Sequence, residues 1–281
     1  MTISRKFSGT SQRAWWDPAL TVRTVAALAL VAGLVTACKS GKRDRDDDDD
    51  DERAPQAASP STAAAPGQVP ATAGAAAQSI PGAASQAATT WTFDSAAAGQ
   101  APAGFSFGRT GSGRPGRWVV RAAPDAPSRP NVLAQEDSDR TDYRFPVAVA
   151  DAPAFGDVSV SVRCKPVGGR VDRACGIVWR YQDENNYYLT RANALEDNVC
   201  WYYVQNGRRV EVKRVKVKVA SGVWHALRAD MRGDHVEVYF NGAKLIDVHD
   251  SRFTAPGKVG VWTKADSYTL FDDLTVTPLT P

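Results

Sequence analysis

The chain contains 281 residues, of which 34 are Lys or Arg and 31 are Asp or Glu, so its net charge is +3. Nine basic and nine acidic residues precede Thr90, and the rest of the chain therefore carries the same small net charge. This balance lacks the basic surplus of a nucleic-acid-binding surface, and we expect no nucleic-acid partner. Residues 90–281 are enough for one domain with a substantial hydrophobic core.

Residues 1–37 have the order of a secretory signal peptide. Basic residues precede an apolar run at 25–32, and Leu34-Val35-Thr36-Ala37-Cys38 follows it. The run is short for a transmembrane helix, whereas this order is typical of an exported protein. The segment ending at Cys38 resembles the lipobox of bacterial lipoproteins. That resemblance implies that Cys38 carries lipid, including palmitate, and becomes the mature N-terminus. An ordinary signal peptide with a coincidental Cys is the alternative.

Residues 38–89 are predicted to form a disordered tether behind the lipidated Cys. The stretch has almost no large apolar residue, so it cannot bury enough surface to offset the entropy of ordering. An acidic run, Asp46–Asp51, lies near its start, and an Ala/Pro/Ser-rich segment follows. A calcium-binding acidic tail is the alternative to a solvated spacer. Lys39 after the lipidated Cys, rather than Asp, implies release to the outer membrane of a bacterial cell envelope.

An all-β domain is predicted after the tether, because short alternating segments are separated by turns. Short segments precede Val158, and period-two alternation dominates from there onward. Asn206-Gly207 and Asn241-Gly242 each lie between two such segments, and Asn-Gly favours the type I′ turn of a tight hairpin. Turns at 183–186 and 232–234 separate further strands. Many short strands at this spacing indicate a β-sandwich or jelly roll.

Several segments carry a resemblance to a known family. They are Gly176–Tyr188, Val223–Arg228, Gly257–Ser267 and Phe271–Leu274. In this order they resemble conserved blocks of concanavalin A-like lectin/glucanase domains. Among such domains they are similar to the laminin G-like domains and to the 3-keto-disaccharide hydrolase domains of bacterial secreted proteins. The resemblance implies a two-sheet antiparallel β-sandwich, a concanavalin A-like jelly roll, over residues 90–281. It constrains activity much less, because this fold hosts many functions.

The resemblance also implies glycan contact on the concave sheet or its rim loops. Polar and aromatic side chains there would meet sugar hydroxyls and ring faces. We predict these carbohydrate-binding residues: Arg180, Tyr187, Arg191, Asn193, Lys264 and Asp266. The first four share one face of a hairpin if the turn after Gln182 sets the register. Alternatively, the basic members cover a solvated sheet face and pair with Glu196 and Asp266.

Catalysis by a retaining glycosidase would need two carboxylates about 5 Å apart on one face. Glu196-Asp197 and Asp272-Asp273 are adjacent pairs, and neighbouring residues of an extended chain point in opposite directions. A glucanase of this type is therefore not expected. The elimination-type chemistry of the 3-keto-disaccharide hydrolases would need a base and an electrophile. Glu196 with Lys264, or with Arg180, is the catalytic combination that this sequence offers.

Three cysteines lie in the predicted domain, which an oxidising compartment would allow to form one disulfide and one buried thiol. Cys164 ends one alternating segment, and Cys175 lies near the start of the next. If the two segments pair as a hairpin with these residues opposite, Val162 meets Ile177 and the apolar residues share a face. We therefore predict a Cys164–Cys175 disulfide. The Cys and His spacing fits no zinc site.

A calcium site is the single cofactor that the sequence suggests. Asp94, Asp272 and Asp273 would meet if the first and last strands pair, which would gather several carboxylate oxygens. In the alternative, Asp272 and Asp273 accept hydrogen bonds from backbone N–H groups in turns. No other cofactor is expected.

The functional prediction is a membrane-anchored lipoprotein that presents a carbohydrate-binding, lectin-like β-sandwich. The first alternative is a glycoside hydrolase or lyase of the 3-keto-disaccharide hydrolase type. The second is a structural envelope protein without a ligand. A binding module needs a polar, aromatic face, whereas an enzyme also needs a pocket with a perturbed carboxylate.

Overall fold

The computed structural model describes residues 87–280, and the regular structure in this range is β-strand. The signal peptide, Cys38 and almost all of the predicted tether lie outside the described residues. Within the described range, no helix is available that could span a lipid bilayer. The strands are β1 (Thr89–Trp91), β2 (Phe105–Gly111), β3 (Trp118–Ala122), β4 (Asn131–Gln135), β5 (Arg144–Ala150), β6 (Val158–Gly168), β7 (Ala174–Asp183), β8 (Asn186–Asn193), β9 (Asn198–Gln205), β10 (Arg208–Lys216), β11 (His225–Arg232), β12 (His235–Phe240), β13 (Ala243–His249), β14 (Lys258–Trp262) and β15 (Tyr268–Pro278).

These strands form two antiparallel sheets. Sheet 1 has the order β13-β12-β11-β6-β15-β4-β3, with β1 also paired to β15. Sheet 2 has the order β10-β9-β8-β7-β14-β5-β2. Neighbours in each sheet are mostly distant in the chain, as in a jelly roll rather than a simple meander. The predicted fold, a two-sheet antiparallel β-sandwich, is confirmed.

The main hydrophobic core lies between the two sheets. Alternate residues of each strand point inward, so Val160 and Val162 of β6 pack in the same cluster as Ile177 and Trp179 of β7 and Trp201 of β9. All five are almost completely buried. Burial of one such side chain contributes about 1.5–3 kcal/mol, and the core therefore holds the two sheets face to face.

Both Asn-Gly hairpins form as the sequence predicts. Asn206 and Gly207 have φ angles of 52° and 77°, and Asn241 and Gly242 have φ angles of 49° and 86°. Positive φ at both central residues is the requirement of a type I′ turn, whose twist matches that of the flanking strands. These turns fix the β9–β10 and β12–β13 pairings.

Cys164 and Cys175 form a disulfide, but the predicted hairpin between their strands is wrong. β6 pairs with β11 and β15, whereas β7 pairs with β8 and β14, so the bond connects the two sheets. Val162 lies opposite Leu227 of β11 rather than Ile177. Alternation alone cannot separate the two arrangements, because face-to-face packing and edge pairing both direct the apolar residues into one core. Cys200 remains a buried free thiol.

The first and last strands pair, with Trp91 opposite Leu274, yet the suggested calcium site is wrong. Asp272 accepts hydrogen bonds from the backbone N–H and hydroxyl of Ser128 at 2.8 and 2.9 Å, and Asp94 accepts one from the N–H of Asn131 at 3.0 Å. Among residues 87–280, Asp94, Asp272 and Asp273 do not gather as a cation-binding group. The first two instead secure the 128–131 loop.

Candidate functional site

The outer face of sheet 2 carries a second buried layer that is rich in aromatic rings. Phe145 of β5 stacks on Trp262 of β14 with ring centroids 5.4 Å apart. The guanidinium carbon of Arg209 lies 4.6 Å from the ring centroids of both Phe145 and Tyr202. Tyr187 of β8 belongs to the same layer. We call Phe145, Tyr187, Tyr202 and Trp262 the aromatic floor.

Strand order explains why polar residues from distant segments meet at one end of sheet 2. Neighbouring strands are antiparallel, so the starts of β5, β7 and β9 lie beside the ends of β8 and β14. This end carries residues from these strands and their adjoining loops. We call the following group the polar cluster: Asp172, Arg191, Asn193, Glu196 and Lys264.

Hydrogen bonds and ion pairs connect the polar cluster. Arg191 donates to Glu196 Oε2 at 2.7 Å and to the Tyr202 hydroxyl at 2.9 Å. The Asn193 amide donates to Glu196 Oε1 at 2.7 Å and to Asp172 Oδ1 at 3.1 Å. Lys264 Nζ lies 3.5 Å from Asp172 Oδ2. The predicted catalytic residues Glu196 and Lys264 are thus linked through Asn193 and Asp172.

Asp172 is a fully buried carboxyl group of the polar cluster with a raised pKa. Burial raises its pKa to about 6, against the opposing charges of Lys264 and Arg191. A buried carboxylate is costly unless cations and hydrogen-bond donors surround it. The Lys264 ammonium and the Asn193 amide supply these interactions. A buried carboxyl group with a raised pKa beside a cation is an arrangement that often occurs at functional sites.

Asp266 positions the loop that carries Asp172. Its carboxylate accepts hydrogen bonds from the backbone N–H groups of Arg170, Val171 and Asp172 at 2.9, 2.9 and 3.1 Å. Gly169 begins this loop with φ 131°, and a Cβ there would lie 1.8 Å from the Asp172 carbonyl oxygen. Asp266, predicted to bind carbohydrate, thus has a positioning role in the structure.

Arg180 lies away from the polar cluster, contrary to the prediction that it shares a face with Arg191. The β7–β8 register shifts between Trp179 and Asp183, and Arg180 has a φ angle of 47°. Its guanidinium donates to the carbonyl of Thr254 at 2.5 Å. It lines a separate cavity of about 510 Å³. The predicted alternation fails because this irregularity turns the side chain toward another loop.

Tyr187 is on the predicted face but is inaccessible. Its hydroxyl hydrogen-bonds Thr110 Oγ1 at 2.7 Å, and its ring stacks on Tyr181 with centroids 5.6 Å apart. Burial raises its pKa above the ordinary value. The residue therefore supports the aromatic floor from within.

The accessible part of the site is its rim. Asp142 extends from the loop before β5, with 69% of its side chain exposed, and lies 3.2 Å from Lys264 Nζ. The neighbouring Tyr143 is 37% exposed, and its ring packs edge-on against Phe145. Its hydroxyl donates to the carbonyl of Gly207. Asp142 and Tyr143 thus present a carboxylate and an aromatic ring at the surface, while the buried Lys264 ammonium, with 10% of its side chain exposed, pairs with Asp142 from below.

Sequence reasoning missed Asp142, Asp172, Tyr202 and Arg209. Tyr202 could have been predicted from the sequence, because the alternation of β9 places Asn198, Cys200 and Tyr202 on one face. Asp172 and Asp142 lie in loops, where periodicity gives no direction. Their approach to Lys264 depends on the pairing of β14 with both β5 and β7, which sequence alone did not provide.

Comparisons with known proteins identify similar folds. No protein-family model matches the chain, and no curated protein matches it. A carbohydrate-binding module, CBM66 from Bacillus subtilis, has 18% identity and a TM-score of 0.49, over 61% of this chain and 94% of that one. Domain 4 of AbnA, a GH43 extracellular arabinanase from Geobacillus stearothermophilus in complex with arabinotriose, has 15% identity and a TM-score of 0.47, over 70% and 96%.

A third similar structure is the exoplasmic/lumenal domain of VIP36 in a Ca²⁺/Man-bound form. It has 9% identity and a TM-score of 0.48, over 69% of this chain and 90% of that one. The similarity of these three structures to this chain is in the arrangement of their strands.

Proposed function

We propose that this protein is a lipid-anchored carbohydrate-binding β-sandwich whose ligand contacts the rim of sheet 2. The observation that carries the proposal is the exposed Asp142 carboxylate beside Tyr143, with the mostly buried Lys264 ammonium 3.2 Å from Asp142. A sugar offers hydroxyl groups to a carboxylate and an ammonium, and an apolar ring face to a tyrosine. The buried polar cluster and aromatic floor hold these groups in place.

The anchor is part of the same proposal. The basic, apolar and small-residue order before Cys38 supports export and lipidation, and the acidic, Ala/Pro/Ser-rich stretch supports a spacer. We place the domain in the bacterial cell envelope, tethered to the outer membrane. Labelling of cells with a palmitate analogue tests this placement. Cys38→Ser should abolish the label, and a labelled Cys38→Ser chain would contradict it.

The binding test uses the full chain with a pool of oligosaccharides, analysed by mass spectrometry for retained ligands. Lys264→Met and Asp142→Asn should each weaken retention by roughly tenfold, since each removes a charged hydrogen-bond partner worth about 1.5 kcal/mol. Lys258→Met is the matched control, because Lys258 is a half-exposed lysine paired with Asp151 elsewhere on sheet 2. Equal retention by all variants would reject the rim as the binding site.

A second candidate function is supported by Asp172. A carboxyl with a pKa near 6, 3.5 Å from the Lys264 ammonium, suits a general base beside a group that stabilises an enolate. Glu196 is less suitable as the base, since Arg191, Asn193 and Asn198 all donate to it. The alternative is therefore a hydrolase or lyase of the 3-keto-disaccharide hydrolase type, with Asp172 replacing Glu196 in the predicted role.

The same incubation separates the candidates when 3-keto-glycosides are included. New product masses that disappear in Asp172→Asn, with ligand retention preserved, support the enzyme. Retention without products supports the binding module. Neither retention nor products supports a structural envelope protein without a ligand.

A further inference from the structure

A second group of polar side chains lies on the outer face of sheet 1, in the β12–β13 hairpin. His235 and Glu237 are two residues apart on β12, and Asp247 and His249 are two residues apart on β13. His235 lies opposite His249, and Glu237 lies opposite Asp247. Their neighbours Val236 and Val248 pack in or against the core, so all four point outward. We call them the His-carboxylate tetrad.

Backbone pairing brings the two histidines close together. Asp250 N–H donates to the Asp234 carbonyl at 2.8 Å, so the adjacent pair, His235 and His249, is of the non-hydrogen-bonded kind. Side chains lie closest in such pairs, and the two imidazole rings stack with centroids 4.7 Å apart and an interplanar angle of 17°.

Three of the four side chains offer ligand atoms that lie near enough to close around one ion, and His249 stands beside them. One atom each of His235, Glu237 and Asp247 lies within 4.8 Å of the other two. His235 Nε2 is 2.8 Å from Asp247 Oδ1. The Asp247 and His249 side chains are 48% and 66% exposed, so an ion would enter from solvent without displacing the core.

Neighbouring groups orient the tetrad. Asp234 Oδ1 lies 3.1 Å from His249 Nδ1, and the tautomer that donates its Nδ1 proton to this carboxylate would leave Nε2 available to a metal ion. The Tyr239 hydroxyl donates to Glu237 Oε2 at 3.1 Å. Metal-binding histidines usually have such a carboxylate partner, and carboxylate ligands are usually hydrogen-bonded.

The charge around the tetrad favours a dication. Three carboxylates, from Asp234, Glu237 and Asp247, face one ammonium group, that of Lys244. Its Nζ lies 2.8 Å from Glu237 and 2.7 Å from Asp247. The neighbouring strand β11 places Asp230 opposite Glu237 and Arg232 opposite His235. The Lys244 ammonium therefore already occupies the position between Glu237 and Asp247 where a metal ion would lie. Its side chain is flexible and half-exposed, so it could move into solvent.

We propose that the His-carboxylate tetrad is a binding site for a divalent transition-metal ion such as Zn²⁺ or Cu²⁺. Two imidazoles with two carboxylates match these ions, whereas Ca²⁺ and Mg²⁺ take oxygen ligands. Binding replaces the Lys244 ammonium between Glu237 and Asp247 and recruits His235 and His249. The site is on the opposite face of the sandwich from the proposed carbohydrate rim, and it functions independently of that rim.

The test titrates the full chain, prepared without a polyhistidine tag, with Cu²⁺ and with Zn²⁺. Electron paramagnetic resonance of the Cu²⁺ complex should show coupling to two imidazole nitrogens, and calorimetry should give one Zn²⁺ per chain. The double variant His235→Asn/His249→Asn should lose both signals. Binding by the double variant as strong as by the unaltered chain would overturn the proposal.

Further variants distinguish the residues that bind the metal ion from neighbouring charged residues that do not. Lys244→Met should tighten Zn²⁺ binding by up to about fivefold, because it removes a competing ammonium whose ion pairs are exposed. Asp234→Asn should weaken it by roughly tenfold through loss of the His249 partner. A control chain with Asp46–Asp51 replaced by Asn and Cys38 by Ser should retain the two-nitrogen signal. Loss of that signal in the control chain would place the metal outside the tetrad and reject the site.

Discussion

The two outer faces of this β-sandwich differ in whether their charged side chains are buried or exposed to solvent. On sheet 2, Arg191 is 1% exposed and lies among Glu196, Asn198 and Tyr202 beneath the rim. On sheet 1, Arg228 is 44% exposed, stacks on Tyr239 and lies 3.3 Å from Asp230. Buried charges must be held by partners, while solvent screens exposed ones. Sheet 2 is therefore a preorganised scaffold for its rim, and sheet 1 is an adaptable surface.

The largest difference is expected between Arg191→Met and Arg228→Met. Arg191→Met leaves Glu196 and Asn198 without their shared cation, and it should lower the free energy of unfolding by about 3–5 kcal/mol. Arg228→Met should lower it by about 1 kcal/mol or less. Urea denaturation followed by tryptophan fluorescence measures both. Similar losses in the two variants would contradict the contrast between the faces.

The next largest effect concerns the bond that connects the sheets. Cys164→Ala/Cys175→Ala should lower the free energy of unfolding by about 2–4 kcal/mol, because the disulfide restricts the unfolded chain. Cys200→Ala changes a buried thiol outside the bond and serves as the control for cysteine loss. A double variant no less stable than the oxidised parent would show that packing alone holds the sheets together.

A pH effect should follow from Asp172 on the buried face. Its folded pKa of about 6 is above the ordinary Asp value, so the folded state binds the proton more tightly than the unfolded state. Stability from this group is therefore full below about pH 4 and is lost as pH rises through 6, a decrease of about 3 kcal/mol in total. Asp172→Asn should flatten this part of the stability profile.

Asp272 shifts in the same direction for the same reason, since burial raises its pKa to about 6. Asp272 therefore causes a second decrease in the free energy of unfolding over the same pH range, and this decrease should remain in Asp172→Asn. Chemical denaturation at half-unit pH intervals measures both. An unchanged profile in Asp172→Asn would refute the assignment to Asp172.

The smallest effect is expected on the exposed face. Lys244→Met removes ion pairs with Glu237 and Asp247 that solvent screens, and the free energy of unfolding should remain almost unchanged. Thermal unfolding without added metal gives this value. A loss above 2 kcal/mol would mean that this charge network is structural, as on sheet 2.

Local sequence signals predicted much of the fold. The Asn-Gly pairs determined two hairpins because few residues adopt positive φ readily, and alternation identified the core faces of β6, β7 and β12. Alternation could not decide whether Cys164 and Cys175 belong to paired strands or to facing sheets.

The candidate site was predicted in part. Arg191 and Asn193 came from simple alternation along β8, and Lys264 does join them. Arg180 was misplaced because a shift in strand register and a positive φ reverse its direction. Asp172 depends on a loop held by Asp266 from far along the chain, an interaction without any local pattern.

The Cys164–Cys175 bond also has a consequence for timing. A reducing compartment would keep both thiols free, whereas an oxidising one allows the covalent connection between the sheets to form. Under the proposed export, the chain would lack the bond's contribution while it is still in the cytoplasm and would open more readily there. Oxidation after export would then be the last step of maturation.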